Sequence, residues 1–177
     1  MDPDGPATAS PPERAGSPGS TVVIVEGESD RAALETLGAR LGVVMPPVTA
    51  VGGSKGARRA AERFAGIRVL GLVDLGERGD FERFFETVFV CDPDLEGELV
   101  RALGILGVEA VIDAQGELES FRRLQRQPAQ RDRPPERQLA RFFGGRSGNK
   151  LRYAVLMATA LPLERVPPPI AALLAAV

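Results

Sequence analysis

Three features of this 177-residue chain predict an α/β protein with a doubly wound, mainly parallel sheet. Apolar runs of strand length alternate with stretches of helical periodicity, the pattern that crossover connections impose on parallel strands. The runs at 22–25, 69–73 and 88–91 are apolar almost throughout, as strands covered on both faces are. Three of the runs close on an acid (Glu26, Asp74 and Asp92), at the edge where open parallel sheets carry their chemistry.

The elements follow in order. Residues 1–20 are rich in Pro, Gly, Ala and Ser and bury too little apolar surface to order themselves, so a disordered tail is expected there. The first strand is predicted at 21–26 and its helix at 29–41, where Leu34, Leu37 and Leu41 recur at helical spacing. Gly27 allows a tight exit, and Ser29 or Asp30 can cap the helix. A second strand at 47–51 ends at Gly52-Gly53, before a helix at 54–65 with Ala57, Ala60, Ala61 and Phe64 on its apolar side. The third strand spans 68–74, a charged loop with a helical turn spans 75–86, and the fourth strand spans 87–91. Asp92 at N-cap and Pro93 at N1 predict a helix over 93–103. The remainder reads as helices near 106–114, 116–126, 135–143, 148–161 and 167–176, separated by Gly and Pro. The expected division is a tail at 1–20, a catalytic core at 21–115 and a basic helical extension at 116–177 packed on it.

Composition removes several chemistries. With no histidine and a single cysteine, Cys91, the chain has no Ser-His-Asp or Cys-His catalysis, no zinc site of the His/Cys kind and no internal disulfide. No apolar run approaches the ~18 residues of a membrane span, and no signal-peptide pattern is present; a cytoplasmic protein is expected. Acids are abundant, and they suit a hard cation such as Mg²⁺ or Mn²⁺. The net charge of −2 conceals an asymmetry: residues 1–116 hold 11 basic and 19 acidic residues, and residues 117–177 hold 11 basic and 5 acidic. Such a split suits cations in one half and phosphates in the other, or simply a solvated arginine-rich surface.

The strand-end acids have two readings. Glu26, Asp74 and Asp92, with Asp30, Asp94 and Glu96 just beyond, would lie on one edge of a parallel sheet. Carboxylates gathered there repel unless a cation lies between them, and two cations about 3.5–4 Å apart can clamp a phosphodiester. Alternatively the acids cap helices. That reading is strong for Asp92, moderate for Asp94 and weak for Glu26, a poor cap at the end of a buried strand. Gly52-Gly53-Ser54-Lys55-Gly56 is either a plain turn or a phosphate cradle, without the P-loop spacing. Lys150 either neutralises a scissile phosphate or covers a helix start. Arg122, Arg123 and Arg126 share one helical turn and, with Lys55, Arg146 and Arg152, are candidate contacts to a nucleic-acid backbone or ordinary surface charges. Aromatic residues for base stacking are few.

These residues resemble the TOPRIM domain, and in particular that of the OLD (overcoming lysogenization defect) nucleases. The resemblance is carried by Val-Glu26-Gly-Glu-Ser-Asp30, by Gly-Leu-Val-Asp74 for the strand with the D-x-D motif, and by Asp94-Leu-Glu96-Gly-Glu-Leu. Gln115-Gly-Glu-Leu-Glu-Ser-Phe and Arg146-Ser-Gly-Asn-Lys150-Leu-Arg-Tyr-Ala extend it beyond the core, so it covers nearly everything after residue 20. It implies a Rossmann-like TOPRIM sheet with a C-terminal helical extension and a divalent-metal-dependent nuclease acting on DNA, with RNA an open alternative. Glu26 would be a metal ligand or general acid/base. Asp30, Asp74 and Glu96 would complete sites for one or two Mg²⁺ or Mn²⁺ ions, with Asp94 in support, and Lys150 would stand near the scissile phosphate. Two departures stand out. The D-x-D motif reads Asp74-Leu75-Gly76, without its second acid, which Asp94 or Glu96 would have to replace. Nothing resembles the ATPase domain of full-length OLD proteins, so the chain is expected to stand alone, with a separate ATPase or a second copy of itself as candidate partners. The alternative is a non-catalytic module with a degraded metal site. Topoisomerase activity and priming are disfavoured, the first because Tyr153 is the sole tyrosine and lies in an apolar helix, the second because no template-binding or zinc module is visible.

Overall fold

The computed structural model describes residues 20–177, apart from the side chain of Ser54; the expected tail lies outside the described residues. Four strands, β1 (Thr21–Val25), β2 (Val48–Ala50), β3 (Arg68–Asp74) and β4 (Thr87–Cys91), form one all-parallel sheet in the order β2-β1-β3-β4. The register pairs Val25 with Ala50 and with Leu72, and Asp74 with Cys91. Eight α-helices occur among the described residues: α1 (Glu28–Leu41), α2 (Ser54–Arg63), α3 (Arg78–Glu82), α4 (Leu95–Ala114), α5 (Leu118–Gln125), α6 (Pro135–Phe143), α7 (Asn149–Ala160) and α8 (Pro168–Ala176).

Alternation along each strand divides the interior into two layers. Val23, Val25, Leu70, Leu72 and Cys91 point to the larger layer, with buried residues of α1, α4, α7 and α8. Ile24 and Val73 point to the smaller, with Ala57 and Ala60 of α2 and Phe81 of α3. A strand covered on both faces has no polar face to spare, which explains the near-continuous apolar runs of β1 and β3. The C-terminal helices are integral to the larger layer. Phe121, Leu139, Phe143, Tyr153 and Leu173 are buried within it, and Arg40 of α1 ties down the end of α7 through the carbonyls of Ala158 and Leu161, both at 2.7 Å.

One difference from the sequence reading bears on the site. Helix α4 begins at Leu95, because Asp94 rather than Asp92 is its N-cap and accepts from the Gly97 N–H at 2.7 Å. The stretches expected as helices at 93–103 and 106–114 meet at a kink, where Gly104 leaves helical geometry with φ 74° and ψ 158°, a conformation glycine tolerates without strain. Between Asp74 and α3 the chain makes a 3₁₀ turn, Leu75–Glu77.

Candidate functional site

The strand order reverses its direction of growth at β1 and β3. In open α/β sheets that arrangement parts the connections and leaves a crevice at the carboxyl ends of the strands. Glu26 follows β1 and Asp74 ends β3 at this edge. Asp30 stands in the first turn of α1, where its Oδ2 accepts the Gly27 N–H at 2.7 Å. Gly27 is the N-cap and Asp30 reaches back to it, rather than capping from ahead. Asp94 and Glu96 flank the start of α4, and Asp74 Oδ1 accepts the Leu95 N–H at 3.3 Å, tying the end of β3 to that helix. Helix α7 carries Lys150 in its first turn, with Nζ 3.3 Å from Glu96 Oε2.

Capping accounts for part of this group only. Asp94 and Asp30 satisfy helix-terminal N–H groups, as acids near a helix start do. Glu26 and Glu96 do not. Glu26 Oε2 is buried without a hydrogen-bond partner. Glu96 is 7% exposed; its Oε2 is ion-paired with Lys150, and its Oε1 has no hydrogen-bond partner. Unpaired buried carboxylate oxygens are costly, and in a native fold they call for an explanation such as an ion.

Electrostatics bind the group together. Burial raises the pKa of Asp74 to about 7, and Glu26, Asp30, Asp94 and Glu96 add to the effect. Glu26 is raised by burial, then by Asp30 and Glu77. Asp30 is raised by burial, against the Gly27 N–H and Lys150. Burial raises Glu96 too, with Lys150 opposing. For Lys150 burial favours the neutral amine, but Glu96, Asp30 and Asp74 outweigh it and hold the ammonium charged. A lysine in the first turn of a helix opposes the helix dipole, and here the facing carboxylates compensate for that.

The donor set consists of hard oxygens and fits Mg²⁺ or Mn²⁺, and the orphaned oxygens of Glu26 and Glu96 are the structural sign of that fit. Among the described residues, no three Asp, Glu or Cys side chains already stand close enough to enclose an ion, so ligands would draw together on binding. Glu77 was not singled out from sequence. It follows Asp74 by three residues, and its Oε2 is also buried without a partner. A cavity of about 530 Å³ opens beside the Lys150–Glu96 pair, between the bend of α4 and helix α6, with Val100, Ile105 and Phe143 among its walls and Arg101 and Arg137 at its rim.

The remaining sequence candidates make other contacts. Gly52 donates its N–H to the Glu26 carbonyl at 2.9 Å. A Cβ at Gly56 would fall 1.7 Å from the Val51 carbonyl oxygen, so this glycine lets α2 pack against the end of β2, as a plain turn requires. Lys55, Arg123 and Arg146 are exposed. Arg122 is held by both oxygens of Glu109 at 2.7 Å, Arg126 by Glu119 at 2.8 Å and Arg152 by Glu117 at 3.0 Å. Asp92 donates its backbone N–H to Glu98 and its carbonyl accepts from Arg101. Tyr153 is fully buried, with its hydroxyl on Glu117, and serves packing.

No family model matches the sequence, and no curated protein matches it. Solved structures do. The C-terminal region of the Burkholderia pseudomallei OLD protein is similar with a TM-score of 0.64 at 20% identity, over 88% of this chain and 95% of that one. The C-terminal region of the Xanthomonas campestris pv. campestris OLD protein is similar with a TM-score of 0.60 at 20% identity, over 89% of this chain and 93% of that one. The chain therefore has the fold of OLD C-terminal regions, a doubly wound TOPRIM-like sheet with a helical C-terminus.

Proposed function

We propose that this chain is an OLD-type TOPRIM nuclease that hydrolyses DNA phosphodiesters with Mg²⁺ or Mn²⁺. The observation that carries the reading is the set of buried carboxylates at the β1/β3 edge, with Glu26 Oε2 and Glu96 Oε1 left without a partner and Glu96 Oε2 against the charged Lys150. The shared fold with OLD C-terminal regions supports it. Glu26, Asp30, Asp74 and Glu96 would hold one or two ions, with Asp94 supporting the edge through its cap. Such an ion, when bound, supplies Lewis acidity and a more acidic water.

The protein's own groups do the rest. Lys150 places a fixed positive charge against the phosphoryl oxygens, where charge develops as the phosphorus–oxygen bond breaks. Glu26 would either hold an ion or accept the proton of the attacking water. Of the cations singled out from sequence for contact with the nucleic-acid backbone, Lys55, Arg123 and Arg146 are exposed, and the cavity beside Lys150 would give a nucleotide apolar walls. No described helix is long and apolar enough to cross a membrane; we place the protein in the cytoplasm, with a separate ATPase as its candidate partner.

The second reading, a binding module without catalysis, is favoured by one observation: the acid missing at Gly76. Incubation of a supercoiled plasmid with the protein and Mn²⁺ separates the two. Nicking that Glu26→Ala abolishes supports the nuclease; salt-sensitive binding without nicking supports the module.

A further inference from the structure

We propose that Glu77 is the acid that completes the cation site of this chain, in place of the one missing at Gly76. The inference rests on the metal-binding reading above and deepens it. An acid two residues after Asp74 shares its side only where the chain stays extended, because side chains along a strand repeat every second residue. Here the chain leaves the sheet at Asp74. That residue is the N-cap of the 3₁₀ turn Leu75–Glu77, closed by the Arg78 N–H on the Leu75 carbonyl. At three residues per turn, positions three apart lie one above the other. The acid at the third position thus takes the place that the second would hold on a longer strand.

The surroundings of Glu77 agree. The charged residues after it are paired with one another, Arg78 with Glu82 at 2.6 Å and Arg83 with Asp80 at 3.2 Å. Glu77 Oε2 is buried and has no hydrogen-bond partner, and its charge is felt at Glu26. Independently, the nine-tenths-buried Glu96 has its Oε2 on Lys150 and its Oε1 left without a partner at the same edge. Gly76 itself is open: a Cβ there meets nothing within 4 Å. Glycine is therefore not required for packing, and an aspartate can be placed there.

The test is Mn²⁺ titration by calorimetry on the purified chain, with Glu77→Gln, the double variant Gly76→Asp/Glu77→Gln, and Glu35→Gln on the exposed side of α1 as control. Melting in EDTA reports folding in each case. The expected result is wild-type affinity for the control, at least about tenfold weaker binding for Glu77→Gln, and no recovery in the double variant, because an acid at 76 leaves the side of Asp74 where the chain enters the 3₁₀ turn, with no variant melting below wild type. Unchanged affinity in Glu77→Gln overturns the assignment while leaving the metal site standing. Recovery in the double variant also overturns it, since the turn would then not select the third position. Absence of Mn²⁺ binding by the wild type overturns the metal reading, and this inference with it.

Discussion

The acids of the sheet edge and those of the helical extension are the same residue types under opposite treatment. At the extension, Arg122 is held by both oxygens of Glu109 from the end of α4, and Glu117 accepts from Tyr153 and Arg152. Those hydrogen bonds, led by the Tyr153 hydroxyl, lower the pKa of Glu117. At the edge of β1 and β3, Glu26, Asp74 and Glu96 are raised first by burial; Asp30 adds to all three, and Glu26 and Glu96 add to Asp74. A protein that used its acids only for stability would pair them all. Where it leaves them crowded, that arrangement is retained for another purpose, and cation binding is the one their chemistry fits.

Mutations should divide along this line. Lys150→Ala in the plasmid assay should lower the nicking rate by about 10²–10³-fold, and an unaffected rate would remove Lys150 from the chemistry. Smaller in scale, Glu117→Ala should destabilise the fold by about 1–3 kcal/mol, because the buried Tyr153 hydroxyl loses its acceptor. A fall of several degrees in thermal melting is expected, with Mn²⁺ affinity unchanged. Smaller still, Glu109→Ala should cost about 1 kcal/mol or less in the same measurement, since the Arg122 side of the pair is well exposed.

The same contrast predicts the pH dependence. Asp74 has a folded-state pKa raised to about 7, so between the ordinary aspartate value and about 7 the native state binds more protons than the unfolded one. Stability without metal must then fall as pH rises through that window, and Glu26, Asp30 and Glu96 act in the same direction. Melting in EDTA should show a declining temperature from about pH 4 to about pH 7, flattened in Asp74→Asn. A rising temperature across the window would contradict the crowding. With Mn²⁺ added, the gain in melting temperature should grow with pH as the ligands lose their protons.

How much of this the sequence holds depends on range. The ends of β3 and β4 fall where the apolar runs stop, at Asp74 and Cys91. Glu26 stands out because a glutamate that ends a buried strand without capping anything has no local reason to be there. Asp94 was harder: whether it or Asp92 caps α4 depends on the path of the Asp92-Pro93-Asp94 link, which composition does not specify. Glu77 was hidden by a change of period, two along a strand and three in a 3₁₀ turn. The fates of the arginines were hidden by distance. Arg122 and Glu109 are 13 residues apart and Arg152 and Glu117 are 35 apart, so no window of sequence shows that these cations are already engaged.

A crystal of the protein soaked in Mn²⁺ and measured at the manganese absorption edge shows whether the crowded edge binds a cation that the paired acids elsewhere do not. Anomalous density is expected at metal–oxygen bonding distance from carboxylate oxygens of Glu26, Asp74 and Glu96, with Lys150 beside it. Density confined to surface acids, or no ordered manganese at that edge, would show that the crowding serves no cation.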